Sequence, residues 1–138
     1  VVFRPHNVYG PDMGSEHVIP EFIKRFKKLK SSNKFLIQGS GNEQRSFIHI
    51  DDFCQAFNLI LKKGKNLNIY NIGTSEIVKI NKLINILEKL FNKRVKIKKT
   101  NLSKGGTKIR CPNISKIKKL GFKQKIFLKE GLKKIIKN

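Results

Sequence analysis

Two stretches of the chain place polar and charged side chains where they could hold an anionic ligand. The first is "GSGNEQRSFIHIDD", residues 39–52. Gly39 and Gly41 free the backbone for a tight turn, and Arg45 follows at the start of an alternating segment. A guanidinium fork in that position can grip a phosphate through two parallel N–H donors. Asp51 and Asp52 come directly after the alternating segment. They read as first-turn or capping residues of the next helix, favourable against its dipole, before they read as a catalytic carboxylate pair. The plainer alternatives are a surface salt bridge for Arg45, to Glu43 or Asp51, and a hairpin turn for the glycines. The second stretch is "RPHNVYGP", residues 4–11, with Pro5, His6 and Asn7 just past an apolar strand. Asn7 can both donate and accept hydrogen bonds, and the ends of parallel strands are where α/β proteins take ligands. Taken alone, this spacing favours an ordinary turn.

Other candidates carry less. His17 opens a helix and could touch a ligand or cap it, whereas His49 sits in an alternating strand and reads as a packed residue. Tyr9 and Tyr70 read as packing residues, and neither has Lys four positions later, since Met13 and Thr74 stand there. "GGTK", Gly105–Lys108, has no helix start directly after it and is a weak phosphate loop. The sequence contains no Gly-x-Gly-x-x-Gly, no Ser/His/Asp array and no metal-ligand spacing, so these residues make parts of a binding site without a reaction centre. Cys54 and Cys111 match no metal or redox spacing and read as reduced thiols of a cytoplasmic protein.

The elements that would position these groups alternate along the chain. Residues 1–4 read as a buried strand and 5–16 as a loop. "HVIPEFIKRFKKL" has apolar residues at helical spacing. "KFLIQG" and "RSFIHI" read as strands around the tight loop "GSGNEQ". "DDFCQAFNLILKK" has acidic residues in its first turn and Gly64 after its end, as helix-start and helix-stop signals require. Then come a strand, "LNIYNIG"; a helix, "VKINKLINILEKLFNK"; a strand, "RVKIKK"; and a loop, "NLSKGGTK". A short helix capped by Asn113 and stopped by Gly121 and a last helix, "FLKEGLKKIIKN", complete the order. This is an α/β pattern. A parallel strand needs crossover neighbours, so Val1–Phe3 is expected to pair with strands supplied upstream, and the chain reads as a fragment or a split-gene product.

Composition bounds the function class. The 138 residues carry 31 Lys+Arg against 9 Asp+Glu, a net charge of +22, which invites a nucleic-acid reading. The excess is mostly Lys on the polar faces of the predicted helices, such as Lys27, Lys28, Lys30, Lys82, Lys89, Lys116 and Lys133, and no nucleic-acid motif accompanies it. A solvated basic surface with no nucleic-acid partner is the expectation. No apolar run reaches the roughly 18 residues of a membrane span, so no membrane partner is expected.

Six stretches in fixed order then carry a family resemblance: "FRPHNVYGP", "HVIPEFI", "IQGSGNEQRSFIHIDDFCQA", "IYNIG", "IRCPNISKIKKLGF" and "LKEGL". Together they resemble the C-terminal portion of an extended short-chain dehydrogenase/reductase of the NAD-dependent nucleotide-sugar epimerase/dehydratase kind, UDP-glucose 4-epimerase-like. The resemblance implies the last part of a Rossmann-like parallel sheet plus the small α/β substrate-binding subdomain, over residues 1–138. It implies that NAD is bound mainly by an N-terminal half, which would also hold the Tyr-x-x-x-Lys catalytic pair, so that this chain alone has no catalytic residue and no turnover. It implies that Pro5 and His6 pass the nicotinamide end of NAD. Asn7 and Arg45 would contact the diphosphate, His17 and Val18 would lie over the diphosphate and nucleoside, Leu36, Ile37 and Gln38 would line the base, and Arg110 would contact a phosphate. The substrate implied is a UDP-sugar, with dTDP-, CDP- and GDP-sugars left open, and a homodimer is implied only for a full-length form. Three positions depart from the family pattern: Ser40 and Asn113 stand where Asp is common, and Gly106 stands where some relatives carry an acidic ribose contact. A non-catalytic remnant or binding module is the alternative.

Overall fold

The computed structural model describes residues 1–29, 34–101 and 106–137. In chain order these form β1 (Val2–Pro5), β2 (Val8–Tyr9), α1 (Val18–Lys28), β3 (Lys34–Gln38), β4 (Gln44–Ser46), β5 (Ile48–His49) and α2 (Ile50–Lys63). There follow β6 (Ile69–Ile72), β7 (Ile77–Lys79), α3 (Ile80–Phe91), β8 (Lys96–Thr100), β9 (Ile109–Arg110), α4 (Ser115–Lys119) and α5 (Leu128–Lys137). The α/β class expected from the alternation is present. Gly105, in the predicted "GGTK" loop, and Lys30, among the surface lysines, lie outside the described residues.

Helical spacing of apolar residues builds the larger of two cores. Ile19, Phe22, Ile23 and Phe26 of α1 and Leu83, Ile84 and Leu87 of α3 face Phe35 and Ile37 of β3, and α5 adds Leu128 and Leu132. Each fully buried side chain of this size contributes roughly 1.5–3 kcal/mol. Ile48, Ala56, Ile60, Tyr70, Ile72, Ile114, Ile117 and Phe122 form the second core. The lysines read as surface residues are exposed wherever they are described.

The strands pair mostly in parallel: β1 with β6, β2 with β5, and β3 with β8. A three-stranded sheet runs β7–β4–β9, with β4 antiparallel to β7 and parallel to β9.

Several expectations need correction. Val1, Val2 and Phe3 are not buried; they are 52%, 51% and 39% exposed, because β1 has a neighbour on one side only among the described residues. "RSFIHI" is not one strand: the chain changes sheets at Phe47, β4 joining β7 and β9 while β5 joins β2. The glycines are not a hairpin turn, since β3 and β4 belong to different sheets. Val78 and Lys79 belong to β7 and not to the following helix. Asp51 and Asp52 stand in the first turn of α2, but neither caps it. The cap is His49, whose Nδ1 accepts the Asp51 N–H at 3.2 Å. Asp52 is buried and accepts the N–H groups of Lys125 and Ile126, tying the approach to α5 onto α2.

The two signals around α4 fare differently. At the start of α4 the N-cap position is Ile114 and not the expected Asn113, although Asn113 Oδ1, one residue earlier, accepts the Ser115 N–H at 2.9 Å. Gly121, at φ +101°, ends that helix: its N–H bonds Lys118 O while the Phe122 N–H bonds Ile117 O, a Schellman motif. His49 and Tyr9 are buried and meet edge to face, which confirms both as packing residues. Burial, with Glu76, Asp52 and Glu130 nearby, raises the Tyr9 pKa.

Candidate functional site

The turn at residues 39–43 is held from inside by Glu43. Its carboxylate accepts the Ser40 N–H at 2.9 Å, the Ser40 hydroxyl at 3.0 Å and the Gly41 N–H at 2.8 Å. Burial works to raise the Glu43 carboxyl, but these hydrogen bonds outweigh it and hold the pKa below the ordinary carboxylate value. Gly39 and Gly41 have φ of +84° and +80°; a Cβ there would also run into the Glu43 carboxylate or the Asn81 amide. The same turn caps α3, since Gly41 O and Glu43 O accept the Asn81 and Ile80 N–H groups at 2.9 and 3.0 Å. The direction in which β4 leaves the turn is thereby set.

Along β4 the register decides the chemistry. Arg45 is the partner of Arg110 on β9, and register partners on adjacent strands project to the same face. Arg45 is half-buried and donates from Nη1 to Gln44 O at 2.8 Å. Its pKa is lowered by burial first, then by the Arg110 charge, against a smaller opposing pull from Glu43. Among the described residues, no carboxylate pairs with either guanidinium. The salt-bridge alternative for Arg45 therefore fails: Glu43 is committed to its own turn, and Asp51 lies with His49 and Lys134.

Two adjoining cavities share a wall of Glu16, Val18, Arg45 and Arg110. The larger, about 750 Å³, also takes in Leu36, Ile37 and Gln38. The smaller, about 490 Å³, takes in Pro5, Asn7 and His17. Nine of the ten residues singled out from the sequence thus line one cavity or the other. The tenth, His6, does not; it lies against Gly73, with Nε2 buried and unbonded. His17 stands at the N-cap position of α1 but makes no capping hydrogen bond. Asn7, at φ +44°, spends Nδ2 on Ser46 O at 2.8 Å, so part of its amide ties its loop to β4. Ile37 is buried in the core, while Leu36 and Gln38 are exposed on the alternate positions of β3.

Sequence reading missed Glu43 and Arg25. Arg25 lines the larger cavity and donates to Leu36 O at 2.6 Å and to Glu21 Oε1 at 3.2 Å. Its guanidinium carbon lies 3.8 Å from the centroid of the Phe35 ring. The available signal was a glutamate four positions before an arginine on one helix face. Nothing local connects that arginine to β3.

The site is therefore a cleft of two arms that meet at a waist formed by Arg45 and Arg110, with Glu16 and Val18 beside them. Comparison with known proteins gives it a family. Residues 1–73 match the NAD dependent epimerase/dehydratase family. The human dTDP-D-glucose 4,6-dehydratase is 38% identical over 99% of this chain, which spans 40% of that enzyme. Among solved structures, a UDP-glucose 4-epimerase from Thermotoga maritima with UDP-glucose superposes with a TM-score of 0.88 at 28% identity, over 99% of this chain and 44% of its own. A UDP-glucuronic acid 4-epimerase from Bacillus cereus, in complex with UDP-glucuronic acid and NAD, also gives 0.88, at 27% identity, over 99% of this chain and 44% of its own. The chain spans less than half of each of these relatives. Among its described residues, no helix is long and apolar enough to cross a membrane. With the model matching 73 of the 138 residues, the chain belongs to the NAD-dependent epimerase/dehydratase family.

Proposed function

We propose that this chain is the nucleotide- and diphosphate-binding portion of a nucleotide-sugar epimerase or dehydratase. The observation that carries the reading is the pair of guanidiniums, Arg45 and Arg110, set side by side by register, neither of them in a salt bridge with a carboxylate among the described residues. Two cations sharing a cleft repel each other in the free protein, and a diphosphate relieves that repulsion while accepting charge-assisted hydrogen bonds. With the diphosphate at the waist, the nucleoside enters the larger cavity against Leu36, Ile37 and Gln38, under Val18. The sugar turns into the smaller cavity past Asn7 and His17. Asn7 retains Oδ1 and one N–H for the ligand.

The family cofactor is NAD. The residues of this chain that face its nicotinamide end in the proposed assembly are Pro5 and, behind it, His6; NAD would be gripped mainly by the part of the fold outside this chain. NAD supplies hydride transfer at a sugar carbon. This chain's contribution is positional: binding the nucleotide and diphosphate orients the sugar, and such remote binding energy lowers the barrier of a step that takes place elsewhere. With no Tyr-x-x-x-Lys pair in its sequence, the chain alone is expected to turn over no nucleotide sugar.

Calorimetric titration of the chain with UDP and with uridine tests the reading. UDP should bind well and uridine far more weakly, with the difference shrinking as salt screens the waist. Equal affinities for the two would overturn it, as would nucleotide-sugar turnover by the chain alone for its catalytic half.

A further inference from the structure

A buried carboxylate sits two residues before Arg45 and borders the same cavity. Glu43 spends both of its oxygens on its own turn. Oε1 accepts the Ser40 N–H at 2.9 Å and the Ser40 hydroxyl at 3.0 Å, and Oε2 accepts the Gly41 N–H at 2.8 Å. The backbone is held too, since Glu43 O accepts the Ile80 N–H at 3.0 Å where α3 begins. The next residue, Gln44, donates its N–H to Lys108 O at 2.7 Å, two positions before Arg110. The turn built around Glu43 thus fixes where β4 begins, and the start of β4 fixes where β9 lies beside it. Arg45 and Arg110 fall into register from that point.

We propose that Glu43 is a positioning residue for diphosphate binding, an anion that strengthens the grip on another anion. Its charge alone acts in the opposite sense, because a carboxylate bordering a phosphate site repels the ligand. Its hydrogen bonds act in favour. The turn stands on two residues in the left-handed region, Gly39 at φ +84° and Gly41 at φ +80°, and its N–H groups need acceptors. Without the carboxylate, the Ser40 and Gly41 N–H groups lose their partners, and the turn relaxes with the start of β4 attached to it. A binding group whose supporting contacts are loosened loses its aim before it loses its fold. The inference rests on the diphosphate reading of the waist and deepens it by naming the residue that aims the two guanidiniums.

The test is calorimetric titration of the full chain with UDP and with uridine. It is repeated in Glu43→Gln, Glu43→Ala, Arg45→Met and the double variant of Glu43→Gln with Arg45→Met, with circular dichroism to confirm folding. Glu43→Gln keeps the shape and removes the charge, but its amide offers one acceptor oxygen where the turn presents donors to two. UDP affinity should fall by about three- to tenfold, in the lower part of the range for coupled residues of one network. Uridine affinity should stay within about twofold, the scatter expected of uncoupled sites. Glu43→Ala should lose more, and the isosteric variant carries the test if the alanine variant does not fold. In the double variant, replacing Glu43 should cost UDP less than it does in wild type, because one of the guanidiniums it aims is gone. Unchanged or raised UDP affinity in a folded Glu43→Gln overturns the proposal, and so does an equal loss for UDP and uridine, which is what a loss of folded protein alone would give. Full additivity in the double variant overturns it as well. In each of these cases Arg45→Met still weakening UDP leaves the diphosphate reading standing. If wild type binds UDP no better than uridine, both readings fall.

Discussion

Replacing Arg45 separates a ligand-binding arginine from a structural one, because the two roles predict opposite balances between stability and affinity. In the free chain Arg45 Nη1 donates to Gln44 O at 2.8 Å and, over a longer 3.4 Å, to Lys108 O, together worth about 0.5–1.5 kcal/mol. Against this stands its like-charged register partner, Arg110. Adjacent strands lie about 4.8 Å apart. Two unit charges held at that separation repel by about 1–3.5 kcal/mol between bulk water and an effective dielectric of about 20. Arg110 is exposed, so its side chain can splay and the lower end applies. The two contributions nearly cancel, and Arg45→Met should change unfolding free energy by no more than about 1 kcal/mol in either direction. Binding should respond differently. Losing a charge-assisted hydrogen bond to a phosphate removes roughly 1.5–3 kcal/mol, a tenfold to roughly 150-fold weakening. Arg45→Lys should fall between, since an ammonium keeps the charge without the fork. Urea unfolding and UDP titration on the same preparations give both numbers. A folded Arg45→Met that binds UDP as tightly as wild type refutes the reasoning. A loss of several kcal/mol of stability with unchanged affinity would return Arg45 to a structural role.

Three further outcomes follow from named contacts. Burial lowers the His49 pKa below its ordinary 6.5, against the opposite pull of Asp51. The unfolded chain therefore takes up that proton first, and stability that is complete above about pH 6.5 should decline as pH falls through the folded-state pKa. Protonation also removes the Nδ1 acceptor that caps α2, so urea midpoints at pH 7.5 and 5.5 should diverge more for wild type than for His49→Asn, and equal divergence would refute this. Gly131→Ala should lower stability by about 1–3 kcal/mol, because a Cβ there would lie 2.8 Å from Tyr9 Cζ and closer still to its hydroxyl; a thermal melt matching wild type would show that α5 shifts freely. Val2→Lys should reduce self-association measured by light scattering, since an apolar strand with an open edge invites pairing; unchanged scattering would mean the β1 edge is not what associates.

Much of the fold was legible because the signals are local. Ile19, Phe22, Ile23 and Phe26 mark one helix face by spacing alone. Asn113 and Gly121 bound α4 through hydrogen bonds and a backbone angle that reach no more than five residues. The set of residues lining the two cavities was also largely legible. Arg45 after two turn glycines and Asn7 after a strand are residue types whose chemistry is visible without a fold. What stayed hidden depends on which strand lies beside which. "RSFIHI" alternates like one strand, and only the change of sheet at Phe47 splits it. Asp52 reads as a helix-start residue, yet its carboxylate holds backbone more than 70 positions away, at Lys125 and Ile126.

By itself, then, the sequence determined the α/β order, the apolar faces, the helix ends and most of the residues that meet the cleft, because each follows from spacing and side-chain chemistry within a few residues. The tertiary structure alone decided that Arg45 and Arg110, 65 positions apart in the chain, become neighbours, that Glu43 turns inward to hold its own loop, and that Arg25 reaches from α1 to the backbone of β3 at Leu36. Those outcomes rest on strand register and on packing between distant segments, and no local pattern of residues encodes either one.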